Sequence, residues 1–190
     1  MNKQALYRLW HTLRLWMIPS SVKRAKYIKK HGLFHKMGDM CTIMERKVPL
    51  YSNLISIGNN VHLASKVFLI PHDAIHLCLN GIGEGKNKYK EKIGCIEIGD
   101  NVFIGSNTTV LYDVRIGSNV IIGAGSLVNK DIPDNSVAAG IPAKVIGSFA
   151  DFAQKRRTVQ IYPDKLIPIG QEITKELEDW LWNDFDARRN

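Results

Sequence analysis

The sequence is poor in cysteine, in unbroken apolar stretches and, over its first quarter, in acidic residues. Its three cysteines, Cys41, Cys78 and Cys95, are odd in number and lack CxxC spacing. That excludes a disulfide framework and a structural zinc site, and it predicts reduced thiols in a cytoplasmic protein. Charges interrupt the apolar stretches within about ten residues, whereas a bilayer-spanning helix needs about 20. The basic N-terminal region has no uninterrupted apolar run followed by a small-residue cleavage site, so no secretory signal is expected. What remains is a chain of 190 residues, 45% hydrophobic and 23% charged. Those values fit one globular domain with a real core.

The net charge of +8 is concentrated at one end. Residues 1–48 carry eleven Lys and Arg against only Asp39 and Glu45, while the rest has fifteen against sixteen acids. Such a patch attracts anionic partners, or serves simply as a solvated face. No nucleic-acid-binding module accompanies it, which leaves that partner class without support.

An internal period decides the fold class. From Ile98 the chain runs IGDNVF, IGSNTT, VLYDVR, IGSNVI, IGAGSL, VNKDIP, six hexads that each begin with an aliphatic residue. The fifth positions are small or β-branched: Val102, Thr108, Val114, Val120, Ser126 and Ile132. Upstream, IGNNVH from Ile57, LASKVF from Leu63 and LIPHDA from Leu69 share this grammar, and MGDMCT from Met37 is a degenerate copy. A six-residue period suits neither an amphipathic helix nor a long alternating strand. It suits a short strand, a corner and a repeat, with three units per triangular coil. The first-position aliphatics then stack inside a prism. The following glycines and the fourth-position Asn60, Asn101, Asn107 and Asn119 are expected at the corners, where positive φ is needed. A β-sandwich of short strands is the alternative architecture.

The two hexad blocks are out of phase, and residues 75–95, containing NGIGEGKNKYKEK, lack the repeat. They are expected to form a loop extruded from the prism wall just after His72, of the length that is usually functional. Residues 1–36 form a basic helical segment in which Leu6, Leu9, Trp10, Leu13, Trp16 and Met17 share one helix face, stopped by Pro19. That stripe is expected to pack on the protein's own core or a partner subunit in preference to a membrane. Residues 37–147 form the prism and 148–190 a helical extension. In that extension a short helix is expected around Phe149–Arg157, and another from Glu172 with Ile173, Leu177, Trp180 and Leu181 on one side.

Residues 98–147, ending in IIGAGSLVNKDIPDNSVAAGIPAKVIG, closely resemble the hexapeptide-repeat acyltransferases, including galactoside, maltose and capsular-polysaccharide O-acetyltransferases. The segment LISIGNNVHLASKVFLIPHDA is similar to a THDG-type subgroup of surface-polysaccharide synthesis, with Pro71 and Ala74 in place of its threonine and glycine. The resemblance spans residues 37–147. It implies a left-handed parallel β-helix, acetyl-CoA as co-substrate, a saccharide acceptor and a homotrimer with shared active sites.

A sugar hydroxyl attacks a thioester only with help from a base within hydrogen-bond reach. The resemblance places that base at His72, with Asp73 as an orienting neighbour. It places coenzyme A against Gly105, Ser106, Ala124, Asn129, Lys130 and Lys144, the two lysines suited to phosphates as point charges. Backbone N–H groups near Gly105 and Ser106 are candidate oxyanion donors. Cys78 has no paired base, so direct attack is expected and not an acyl-enzyme.

Three other readings stand beside this one. An amino sugar or antibiotic would make the chemistry N-acetylation. His62, His72 and His76 would serve a metal-dependent γ-carbonic-anhydrase-like enzyme on the same prism, although i,i+4 ligand spacing belongs to helices and no metal is expected. A non-catalytic β-helix scaffold is the third.

Overall fold

The computed structural model describes residues 2–82, 88–158, 162–168, 170 and 172–189. They form two compact units, residues 1–150 and 151–190. The expected loop over 75–95 falls partly outside the described residues, at 83–87.

The first unit opens with α1 (Lys3–Trp16) and α2 (Ser21–Lys30). Asn2 and Ser20 cap them, each accepting a backbone N–H three residues on. The chain then winds in coils. The first holds β1 (Lys36–Met37) and β2 (Thr42–Ile43), and the second β3 (Ile55–Ile57), β4 (Val61–Leu63) and β5 (Phe68–Ile70). A helix, α3 (Ile75–Gly81), interrupts. The third coil is β6 (Ile96–Ile98), β7 (Val102–Ile104) and β8 (Thr109–Leu111), and the fourth β9 (Val114–Ile116), β10 (Val120–Ile122) and β11 (Leu127–Val128). A closing hairpin pairs β12 (Ser136–Gly140) with β13 (Ala143–Ser148) across a cis Ile141–Pro142 bond.

Strands stack in parallel onto three faces. Face A holds β1, β3, β6 and β9; face B holds β2, β4, β7, β10, β12 and the antiparallel β13; face C holds β5, β8 and β11. The chain visits A, B and C in turn, which makes the body a mainly β, parallel β-helix. Every hexad's first residue from Ile57 through Val128 is buried, as are the fifth-position residues from Val61 to Ile132 except Asp73, which is half-buried. Asn60, Asn101, Asn107 and Asn119 all take positive φ, between 54° and 60°. Asn60, Asn101, Asn119 and Asn135 also pass side-chain hydrogen bonds of 2.9–3.0 Å from coil to coil along the A–B edge.

The hexad glycines serve a purpose different from the expected one. Gly58 and Gly105 do not adopt positive φ. A Cβ on Gly58 would lie 2.6 Å from the Gly99 carbonyl oxygen of the next coil, and one on Gly105 would strike the backbone of Ala124. Close approach of stacked backbones, not handedness, selects them.

Two further expectations are corrected. The extruded segment is not structureless, because its first seven residues form α3. The apolar stripe of α1 does not pack on the protein's own core. The helix buries its other side through His11 and Leu15, leaving Leu6, Leu9, Trp10, Leu13, Trp16 and Met17 exposed. Among the described residues, no helix is long and apolar enough to cross a membrane.

The helix α4 (Phe149–Thr158) runs into the second unit, which carries α5 (Lys175–Ala187). Thr174 caps α5, whose Leu177 is buried, as is Leu166 in the short 3-10 turn before it. Ile173 precedes the helix and is exposed, so it is not part of the expected stripe.

Candidate active site

His72 lies at the C–A edge, two residues beyond β5. The excursion that follows returns along the same edge and zips shut. His72 bridges Ile93 in antiparallel fashion, the Asp73 N–H donates to the Lys92 carbonyl, and the Gly94 N–H donates to the Pro71 carbonyl, both at 2.9 Å. This closure brings Glu91 to the imidazole. Its Oε1 lies 3.6 Å from His72 Nδ1, a buried nitrogen with no hydrogen-bond partner among the described residues. Tyr51, from the irregular stretch below β3, donates to Glu91 Oε2 at 2.9 Å and sets its ring edge-on to His72, 5.3 Å between centroids. The hydrogen bond to Glu91 pushes the Tyr51 hydroxyl above its usual pKa.

Asp73 is engaged elsewhere. Its Oδ2 accepts from the Tyr112 hydroxyl at 2.8 Å, and its Oδ1 accepts the Ile75 N–H at the start of α3. Those two bonds, Tyr112 first, hold the carboxyl below the usual carboxylate range. Lys92 pairs with Asp113 at 2.6 Å and lies over the Tyr112 ring. The carboxylate facing the His72 ring nitrogen is therefore Glu91, and Asp73 anchors the base of the excursion. Sequence spacing alone could not find Glu91 or Tyr51, because both lie outside the repeat.

The expected coenzyme A residues are distributed over the neighbouring edges. Gly105 and Ser106 turn from face B to face C, with Ala124 stacked one coil on; the Gly125 N–H donates to the Ser106 carbonyl at 2.8 Å. Asn129 and Lys130 leave face C on the C–A edge, the edge of His72, and are exposed. Lys144 lies in β13 on face B, also exposed. His72 and the Gly105–Ser106 turn thus flank face C, separated by a strand of about 10 Å. One expectation fails here. The Gly105 N–H donates to the Ile122 carbonyl at 2.9 Å within the coil ladder, which removes it as an oxyanion donor.

The histidines of the metal reading are not gathered. His62 sits on face B, bonded to Thr42 and Asn60, while His72 is on the C–A edge and His76 in α3. Among the described residues, no group of three or more His, Cys, Asp or Glu is placed to hold a metal ion.

Residues 95–130 match the family model described as bacterial transferase hexapeptide, six repeats. Over those residues the chain resembles the hexapeptide repeats of bacterial transferases. It is 44% identical over 115 residues to Protein CapG of Staphylococcus aureus, covering 60% of this sequence and 63% of that one. It spans less than two thirds of the length of the curated relatives that it matches first. Among solved structures, it superposes on a galactoside acetyltransferase in complex with coenzyme A with TM-score 0.54 at 28% identity, covering 86% and 90% of the two chains. A maltose O-acetyltransferase from Clostridium difficile 630 gives TM-score 0.53 at 25% identity, covering 77% and 89%.

Proposed function

We propose that the protein is an acetyl-CoA-dependent O-acyltransferase acting on a saccharide hydroxyl, in surface-polysaccharide synthesis. The observation that carries this reading is a half-buried His72 held beside Glu91 on the edge of a hexapeptide prism. The prism's likeness to a galactoside acetyltransferase in complex with coenzyme A supplies the donor. His72 takes the proton of the acceptor hydroxyl as its oxygen attacks the thioester carbonyl, and returns it to the departing thiolate. Glu91 faces Nδ1 and stabilises the imidazolium formed in that step, with Tyr51 fixing the carboxylate. Asp73 positions the loop base. Ser106, Ala124, Asn129, Lys130 and Lys144 receive coenzyme A, the lysines at its phosphates. The prism winds left-handed, as the repeat and its structural likeness suggest.

The division of the site between two edges favours a homotrimer. His72 and the turns bearing Ser106 and Ala124 lie on opposite sides of face C, so those turns of a second copy set against the C–A edge would complete the site. The decisive test is thiol release from acetyl-CoA across a panel of mono- and oligosaccharides and amino sugars. Release with hydroxyl acceptors is expected, whereas release with amino sugars alone would make the chain an N-acetyltransferase. Glu91→Gln is expected to lower kcat about a hundredfold with little change in KM for acetyl-CoA, by analogy with loss of a carboxylate behind a catalytic histidine. Unchanged kcat in this variant would remove Glu91 from the mechanism.

We also infer a cytoplasmic location with peripheral contact to an anionic membrane through α1. Its exposed stripe bears Trp10 and Trp16, each with a cation over the ring, Arg14 and Arg46 respectively. Self-pairing of this face would set two strongly basic segments against each other, whereas each Lys or Arg near an anionic lipid surface is worth about 1 kcal/mol. Sedimentation with phosphatidylglycerol vesicles should be strong at low salt, weaken as salt rises, and fail for Trp10→Glu/Leu13→Glu. Equal sedimentation with neutral vesicles, or by the double variant, would exclude it.

A further inference from the structure

The first coil has strands on faces A and B but none on face C, whose sheet ends at β5. Residues 44–54, which should supply that strand, form none, running irregularly to a 3-10 turn at Ser52–Leu54. Where it is missing, the structure leaves a cavity of about 360 Å³ under α1 and α2. Its walls include Leu33, Phe34, Ile43, Leu63 and Val67, all buried, and its lining continues through Pro71 to His72. Voids in protein cores are normally no larger than a water molecule. An apolar cavity of about 150 Å³ already stays dry and binds benzene. This one is more than twice that size, and Arg8, Glu45, Lys47 and His72 are the charged or titratable side chains that line it.

What would occupy it is constrained by its position. A group seated between these walls and His72 must join the reacting atoms without a polar spacer. A saccharide acceptor, or a lipid anchor separated from its hydroxyl by sugar and phosphate, does not meet that condition. The chain attached to the thioester carbonyl does. We propose that the cavity is an acyl-chain pocket, so that the enzyme accepts acyl groups of about four to eight carbons as well as acetyl. This rests on His72 being the transfer site. In the step itself the acceptor oxygen bonds to the acyl carbonyl carbon and the carbon–sulfur bond breaks. The hydroxyl proton passes through His72 to the coenzyme A thiolate. The acyl chain stays in the cavity throughout, so its burial favours the transition state as well as binding.

The test is a chain-length series of acetyl-, butyryl-, hexanoyl- and octanoyl-CoA, read by calorimetric affinity without acceptor and by kcat/KM for thiol release with the acceptor found in the panel. Each methylene buried should raise affinity about fourfold, the equivalent of about 0.8 kcal/mol. Val67→Phe, which fills the cavity, should erase that gain and level the series, with Val48→Phe as a second filling variant if the first fails to fold. Affinity that is flat or falls from acetyl to hexanoyl in the wild-type protein overturns the proposal without any variant. So does a gain that survives in a folded filling variant, or farnesyl phosphate competing at the cavity while the acyl-CoA series stays flat. If hexanoyl-CoA binds more tightly but no acceptor yields thiol release, the pocket stands and the transfer reading fails.

Discussion

Replacing His72 with alanine lowers kcat by about 10²–10⁴-fold, the usual contribution of a positioned general base, and leaves acetyl-CoA affinity essentially intact. The separation of the two effects follows from the layout of the prism. His72 stands on the C–A edge, which it shares with Asn129 and Lys130, while Ser106 and Ala124 stand on the B–C edge and Lys144 on face B, so most of the expected donor contacts do not depend on the imidazole. His72→Gln should be nearly as inactive, because an amide retains a hydrogen bond but cannot accept the proton. Steady-state kinetics with acetyl-CoA and the best saccharide acceptor, paired with calorimetry for acetyl-CoA, make the comparison. Turnover within tenfold of wild type would show that the proton leaves by another route. A parallel loss of acetyl-CoA affinity would place His72 in the donor site instead.

The second large effect concerns stability. Arg24, on α2, is 1% exposed, and among the described residues no carboxylate bonds it. Its guanidinium instead donates to three backbone carbonyls, Nε to Ile43 at 2.8 Å and Nη1 to Ile18 and Pro19 at 2.7 and 2.9 Å. Nη2 reaches the Met44 sulfur. Burial, followed by the charge of Arg46, pushes its pKa down, with Glu45 partly offsetting them. One side chain thereby ties the α1–α2 turn to β2 on the prism. Arg24→Met keeps much of the volume but leaves buried carbonyls without donors. Breaking such a charge-assisted site is expected to cost about 3–5 kcal/mol. For a unit of this size that lowers Tm by roughly 6–20 °C. Arg24→Lys should do little better, since one ammonium cannot reproduce the planar fork of donors. Calorimetric melting of both variants checks this, and a Tm within 2–4 °C of wild type, the equivalent of about 1 kcal/mol, would mean that the carbonyls find water.

Much of this molecule was legible in its sequence because the repeat is a physical constraint on every coil. An aliphatic residue at each first position has to face inward if the coils are to share a core, and Ile57 through Val128 do. Asparagine at the fourth position announces the left-handed corner conformation, which few other residues adopt at low cost. What stayed hidden lies off the period. Glu91 and Tyr51 belong to irregular segments and meet His72 only because the excursion closes through the Pro71–Gly94 and Asp73–Lys92 bonds. The role of the hexad glycines was misjudged for a similar reason. Distance between neighbouring coils is a three-dimensional quantity, and a single hexad contains no trace of it. The apolar stripe of α1 was recognised, but helical periodicity cannot say which of two possible faces the core will claim.

The asparagine file along the A–B edge has a consequence for how such a molecule can change. Asn101 and Asn119 are 18 residues apart, one coil, whereas Asn60 and Asn101 are separated by 41, yet the hydrogen bond between them is of the same kind. The 23 additional residues are therefore invisible to the scaffold's stacking. A lineage can lengthen, trim or exchange that excursion, and with it the carboxylate opposite the histidine, without disturbing the spiral that carries it. New acceptors can be explored at one edge while the architecture is inherited unchanged.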